Sequence, residues 1–203
     1  MTRDFSRRSF IRGSALTTAG VAMADAAAAL VAQAAHAQGM EPAVDRKVTV
    51  AAVLTVNGVR HTLQIEPRMT LAEILRGPLG LTGTKIACDR GACSACTVLL
   101  DGEPICSCMM LAIEASGRRV TTIEGLTRGD ELHPVQAAFI EHDALQCGFC
   151  TPGMVMSCAA LLKRMPDPTA GDVKAAISGH YCRCGTYPHV VDAVLAAAKA
   201  RRA

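Results

Sequence analysis

The 203-residue sequence has no tryptophan, two tyrosines and four phenylalanines, so it lacks the aromatic platforms on which single-stranded nucleic acids stack. Charge of one sign is missing too. Lys+Arg 21 against Asp+Glu 18 leaves +3, without a long run of either sign, which argues against a nucleic-acid surface. Half the residues are hydrophobic and 19% are charged, a balance unlike that of disordered chains. There is no Ser/His/Asp arrangement and no phosphate-cradling glycine loop. His61, His133, His142, His180 and His189 are scattered, and each reads as structural or surface. Nothing in the sequence makes or breaks a substrate bond. What it does have is ten cysteines. In an exported chain these could be five disulfides, and in a cytosolic one they would suggest metal, so spacing has to decide.

The first 37 residues read as an address. Ser6-Arg7-Arg8-Ser9-Phe10-Ile11-Arg12 precedes an Ala-rich stretch from Gly13 to Ala35, and Ala35-His36-Ala37 supplies an A-x-A cleavage pattern. The paired arginines resemble a bacterial twin-arginine signal, which implies export to the periplasm. Asp25 splits the stretch into 12 and 10 residues, whereas a membrane span needs roughly 20 apolar residues in a row. Cleavage would leave Gln38–Ala203, 166 residues with net charge +1 and no membrane span. Such a route carries folded proteins with cofactors already inserted, which suits an exported chain with metal-type cysteine spacing.

The remainder divides into two halves, an α+β organisation. From residue 47 to 122 the signals are strand and turn. Val48, Val50, Ala52, Leu54 and Val56 alternate, Asn57-Gly58 supplies a hairpin turn, and a return strand runs from Val59 to Ile65. Thr70-x-x-Glu73 is a capping box for a helix over Leu71–Leu79, closed by Gly80. A Gly- and Cys-rich loop over 83–96, a strand over Thr97–Leu100, a turn at Asp101-Gly102 and another strand complete a small β-grasp pattern. Residues 124 to 203 read as all-helical. Pro134, Pro152 and Pro188 suit first turns, Thr151 caps a helix to Met165, and Thr169-x-x-Asp172 caps another to Ser178 with Gly179 as its stop. Val190–Lys199 is the last helix. Each half is small for an independent core, so cross-links or metals are expected.

The cysteines fall into groups. Cys88-x4-Cys93-x2-Cys96, with Cys108 beyond a hairpin, has the spacing of plant-type [2Fe–2S] ferredoxins. Gly83 and Gly91 let backbone N–H groups of that loop approach the sulfurs. Zinc fits poorly, since structural sites use closely spaced pairs, and three cysteines within nine residues cannot staple distant segments. Cys106 would point to the same strand face as Cys108 and competes with it as fourth ligand. Cys147-x2-Cys150 and Cys182-x-Cys184 lie at expected helix ends, where free N–H groups favour thiolates. Their spacing alone leaves zinc open, and beside a ferredoxin loop a second [2Fe–2S] centre is the better reading. Cys158, inside an apolar helical run, reads as a buried core thiol, and Met154 and Met156 as core residues.

Thr82-Gly83-Thr84-Lys85, the run Cys88 to Val98, Gln146-Cys147-Gly148-Phe149-Cys150-Thr151-Pro152-Gly153 and Cys182-Arg183-Cys184-Gly185-Thr186-Tyr187 together resemble the iron–sulfur subunit of molybdenum hydroxylases, the xanthine dehydrogenase and aldehyde oxidoreductase family. The resemblance implies a β-grasp domain with one [2Fe–2S] cluster and a four-helix domain with the other. It assigns Cys88, Cys93, Cys96 and Cys108 to the first, with Cys108 chosen because the family's fourth ligand sits in a Ser-Cys pair. Cys147, Cys150, Cys182 and Cys184 go to the second, and Gln146 and Cys184 to contacts with the pterin of a partner's molybdenum cofactor. Ala87 and Ser94 depart from the family's usual glycines and His180-Tyr181 from its usual Asn-Leu, while Cys106 and Cys158 are extra.

The resemblance implies a relay. A large molybdenum-cofactor subunit oxidises substrate with oxygen from water, and this chain passes electrons singly to an FAD subunit or a cytochrome. Export together with this family looks like a periplasmic aldehyde oxidoreductase. A subunit of an N-heterocycle hydroxylase of isoquinoline type and a free-standing electron carrier are the alternatives.

Overall fold

The computed structural model describes residues 48–127 and 129–200. The expected signal, 1–37, lies outside the described residues.

Alternation at period two builds the first hairpin. Strand β1 (Val50–Val56) buries Ala52, Leu54 and Val56 and pairs antiparallel with β2 (Val59–Ile65). Asn57 and Gly58 turn between them at φ 50° and 83°, the twist that two-residue hairpins favour. The Thr70 hydroxyl accepts the Glu73 N–H and the Glu73 carboxylate accepts the Thr70 N–H. This closes the expected box at the start of α1 (Leu71–Arg76). The helix ends at Gly77 rather than Gly80, because Pro78 disfavours helical backbone at the residue before it.

Strands β3 (Thr97–Leu100), β4 (Glu103–Cys106) and β5 (Arg119–Thr121) complete a mixed sheet in the order β2-β1-β5-β3-β4. Only β1 and β5 run parallel. Leu71, Ile74 and Leu75 of α1 share a core with Leu54, Val98 and Val120. This is the β-grasp arrangement.

Four helices follow: α2 (Pro134–Glu141), α3 (Thr151–Arg164), α4 (Ala170–Ala176) and α5 (Tyr187–Ala200). Cys150, not Thr151, occupies the N-cap of α3, so Thr151 and Pro152 already lie in its first turn. Thr169 and Asp172 close their capping box. Helix α4 stops at Ala176, two residues short of Ser178, where Ile177 turns into the core at 3% exposure. Helix α5 begins at Tyr187, ahead of Val190, with Pro188 in its first turn. His133 caps α2 through Nδ1, which accepts the Val135 N–H at 3.3 Å.

Phe139, Met154, Leu162, Val190 and Val194 form the helical core. Val98 and Leu100 of β3 face the sheet core, while Leu99 points the other way, onto Met156 and Ala160 of α3. Both faces of β3 are therefore covered, and its short run reads as continuously apolar. Among the described residues no helix is long and apolar enough to cross a membrane.

Candidate metal centres

The 83–96 loop leaves α1 and enters β3. Asp89, Gly91 and Ser94 take left-handed backbone (φ 51°, 71° and 55°), which curls the chain and turns amides inward. The Gly91 N–H donates to Cys108 Sγ at 3.3 Å and the Ala92 N–H to Cys88 Sγ at 3.2 Å. A Cβ at Gly91 would also stand 2.8 Å from Met109 Cγ. Cys88 lies against Cys93, and Cys96 against Cys108 with Cys106 packed beside them. The Arg90 N–H leads the donors that bring Cys88 down to about 7 against its partial desolvation. Burial, reinforced by the Cys108 thiol, pushes Cys96 up to about 12.

Two expectations about this loop need correction. Cys106 and Cys108 do not alternate along one strand, because β4 ends at Cys106 and Ser107–Met109 forms a 3-10 turn. The Ser107 hydroxyl pins that turn by donating to the Cys96 carbonyl at 2.6 Å. Cys108 is thereby turned inward at 5% exposure, while Cys106 Sγ faces Ser94 Oγ at 3.8 Å and the Gly91 carbonyl at 3.9 Å. Gly83 offers its N–H to no sulfur. It donates to Glu124 Oε1 at 2.8 Å, and a Cβ there would collide with Ile123 and Glu124. The stem is held from the other side by Arg76, whose Nη1 donates to the Thr82 and Thr84 carbonyls at 2.9 and 2.8 Å. Sequence reasoning missed both ties. The signal for Arg76 was a cation in the last turn of α1, whereas Glu124 lies too far along the chain to betray its partner.

In the helical half, Cys150 is buried at the N-cap of α3, Gln146 and Cys147 are exposed just before it, and Cys182 and Cys184 are half-buried between α4 and α5. Cys150 lies against Cys182 with Cys147 nearby, and burial pushes its thiol up to about 12. Burial also works to raise Cys182. The hydroxyl and backbone of Thr186 lead the groups that outweigh it and bring this thiol to about 7. Thr186 Oγ1 lies 3.3 Å from Cys182 Sγ. Tyr187 Oη accepts the Cys182 N–H at 2.8 Å and donates to the His180 carbonyl at 2.9 Å. Thr186 and Tyr187 were quoted in the motif, but their roles were not legible there.

The extra residues are accounted for by packing. Cys158 is wholly buried in the helical core, and burial alone pushes its thiol to about 12. His180 is 4% exposed, its Nε2 lies 2.8 Å from Ser157 Oγ, and burial lowers it to about 4. None of the ten cysteines is in a disulfide.

The two cysteine regions touch. The Tyr181 N–H donates to the Cys93 carbonyl at 3.2 Å. In the first turn of α3, Gly153 lies so close to the Ser94 carbonyl that no Cβ would fit, and a Cβ at Gly179 would stand 3.3 Å from Ser94 Oγ. Among the described residues no three metal-ligating side chains surround one point. Clustered thiols with amides aimed at their sulfurs have the chemistry to hold iron–sulfur clusters, which would supply one-electron redox chemistry.

A 2Fe-2S iron-sulfur cluster binding domain family matches residues 54–120, and a [2Fe-2S] binding domain family matches 122–195. The aldehyde oxidoreductase iron-sulfur-binding subunit PaoA of Escherichia coli O157:H7 is 38% identical over 206 residues, covering 94% of this chain and 87% of that one. The nicotine 6-hydroxylase small subunit of Paenarthrobacter nicotinovorans is 49% identical over 140 residues, 69% of this chain and 84% of that one. In the crystal structure of quinoline 2-oxidoreductase from Pseudomonas putida 86, one chain superposes with a TM-score of 0.73 at 44% identity, covering 76% of this chain and 96% of that one. Two matched cluster domains in this order, with relatives that share them along most of their length, put the chain among the iron–sulfur subunits of the molybdenum hydroxylases, where it serves as the electron-transfer subunit of an oxidoreductase.

Proposed function

We propose that this chain is the periplasmic iron–sulfur subunit of an aldehyde oxidoreductase, holding one [2Fe–2S] cluster on Cys88, Cys93, Cys96 and Cys108 and the other on Cys147, Cys150, Cys182 and Cys184. Each cluster supplies one-electron redox chemistry, so that the two electrons removed from a substrate leave one at a time. The chain's own residues bind and orient. Gly91 and Ala92 direct N–H groups at sulfurs, Cys150 brings its sulfur to a helix N-terminus, and Arg76 and Glu124 fix the stem of the first loop. The exposed Gln146, next to Cys147 in the chain, and the half-buried Cys184 are the residues for a pterin in a large molybdenum-cofactor partner. An FAD subunit or a cytochrome takes the electrons.

The observation that carries this reading is the Tyr181 N–H···O=C Cys93 hydrogen bond at 3.2 Å. It ties the residue before Cys182 to a cysteine of the other loop, so two clusters held by these residues would be fixed neighbours. Support for export comes from the Arg7-Arg8 motif and the Ala35-His36-Ala37 cleavage pattern. The 49% identity to the nicotine 6-hydroxylase small subunit favours an N-heterocycle as the second substrate class.

The test is the metal content and subunit composition of the complex isolated from its native periplasm, followed by a screen of aldehydes and N-heterocycles. About four iron per chain, one molybdenum and a large partner are expected. Four iron without molybdenum or partner would make the chain an independent carrier, and zinc in place of iron would refute the clusters. Replacement of Arg7 and Arg8 by lysine should strand the protein in the cytoplasm; unchanged export would remove the twin-arginine assignment.

A further inference from the structure

Backbone amides reach sulfur in both candidate centres, and in the helical half a side-chain hydroxyl joins them. In the ferredoxin-type loop the donors are backbone amides, Gly91 N–H to Cys108 and Ala92 N–H to Cys88. In the helical half a side chain is involved, with Thr186 Oγ1 at 3.3 Å from Cys182 Sγ. When Cys182 binds iron its sulfur carries no proton, so the hydroxyl has to be the donor. Thr186 is 2% exposed, and among the described residues its hydroxyl has no competing acceptor. The hydroxyl side of the contact is shielded from water while Cys182 is half-buried, so the O–H dipole acts on the sulfur at a dielectric below that of bulk water. The neighbouring residue holds the geometry. Tyr187 Oη accepts the Cys182 N–H and donates to the His180 carbonyl, fixing the strip from His180 to Cys182 against the start of α5.

Resting on the cluster assignment above, we infer that the Thr186 hydroxyl sets the reduction potential of the helical-half cluster through an O–H···S hydrogen bond to Cys182, with Tyr187 as the positioning residue that keeps the sulfur in reach. One-electron reduction adds negative charge that the cysteine sulfurs share. A donor fixed on one of them stabilises the reduced form more than the oxidised form and raises the potential. No proton is transferred in this step; the hydroxyl donates in both states. Serine in place of Thr186 retains the donor, and valine removes it at nearly the same shape.

The experiment uses the complete complex with its partner subunits. Thr186→Val, Thr186→Ser and Tyr187→Phe are compared with the unmodified complex by iron content and by redox titration followed by electron paramagnetic resonance. The signal missing from a Cys147→Ser complex identifies the helical-half cluster. Full iron is expected in all three variants. The helical-half potential should move to a more negative value in Thr186→Val, stay in place in Thr186→Ser and fall by less in Tyr187→Phe, with the other cluster unmoved. An unshifted potential in an iron-replete Thr186→Val complex overturns the inference. Loss of helical-half iron in Thr186→Val and also in the smaller Thr186→Ala, with Thr186→Ser intact, makes the hydroxyl a requirement for holding the cluster and likewise overturns a potential-setting role. Absence of both signals from the unmodified complex would refute the cluster assignment, a separate failure.

Discussion

The two halves gather their thiols with the same backbone device and differ in the side chains added to it. The sheet half uses backbone: three left-handed residues in one short loop, Asp89, Gly91 and Ser94, curl the chain so that amides face sulfur. The helical half also turns its chain at left-handed glycines, Gly148 and Gly185 (φ 77° each), and adds an N-cap cysteine at α3 and two hydroxyl side chains, Thr186 and Tyr187, at the start of α5. A backbone cradle depends on φ and ψ and on glycine, and most side-chain changes leave it alone. A cradle of side chains can be altered one hydroxyl at a time. Both halves therefore rest on a backbone cradle, and the second carries hydroxyls that can be changed without touching it.

The largest test of that division is loss of a single sulfur. Cys147→Ser should abolish the helical-half signal and reduce turnover to background, while the ferredoxin-type signal survives; survival of both signals would dissolve the assignment. Within the sheet half, Cys108→Ala should remove the ferredoxin-type signal and Cys106→Ala should spare both. The reverse outcome would transfer the ligand to Cys106, and both variants are read by the same resonance spectra. The contact between the halves is sharpened by Gly153→Ala. Its Cβ would press on the Ser94 carbonyl, which is backbone and gives little, so a loss of about 1–3 kcal/mol is expected from overpacking. Thermal unfolding of the complex measures that loss, and the magnetic coupling between the two signals should weaken with it.

The smallest expected effect is at a helix cap. Thr169→Ala removes the α4 cap and should cost about 1 kcal/mol at neutral pH. The Thr169 hydroxyl and N–H hold the Asp172 carboxyl below its usual 3.8. That contribution is complete above 3.8 and is lost as pH falls through the lowered folded value. The stability gap between Asp172→Asn and the unmodified chain, followed by thermal melts across pH, should accordingly close in acid. A gap that persists would assign the effect to something other than the ionised carboxylate.

Much was legible beforehand because the signals are local. Asn57-Gly58, Thr70-x-x-Glu73 and Thr169-x-x-Asp172 each act over two to four residues, and each forms the turn or cap expected of it. Helix ends were less legible: Pro78 cuts α1 short, and Cys150 takes the cap expected of Thr151.

By itself the sequence determined the two cysteine spacings, the change from strand to helix near residue 122 and the family resemblance, since all of these are written in the order of neighbouring residues. Tertiary structure alone decided the rest. The 3-10 turn at Ser107–Met109 turns Cys108 inward and leaves the Cys106 sulfur facing Ser94 and the Gly91 carbonyl. Gly83 meets Glu124 across 41 positions, and Gly153 and Tyr181 meet the Cys93–Ala95 backbone. A glycine that yields to a distant backbone looks the same in sequence as one that makes a turn, because the atoms that require it enter only when the chain closes on itself.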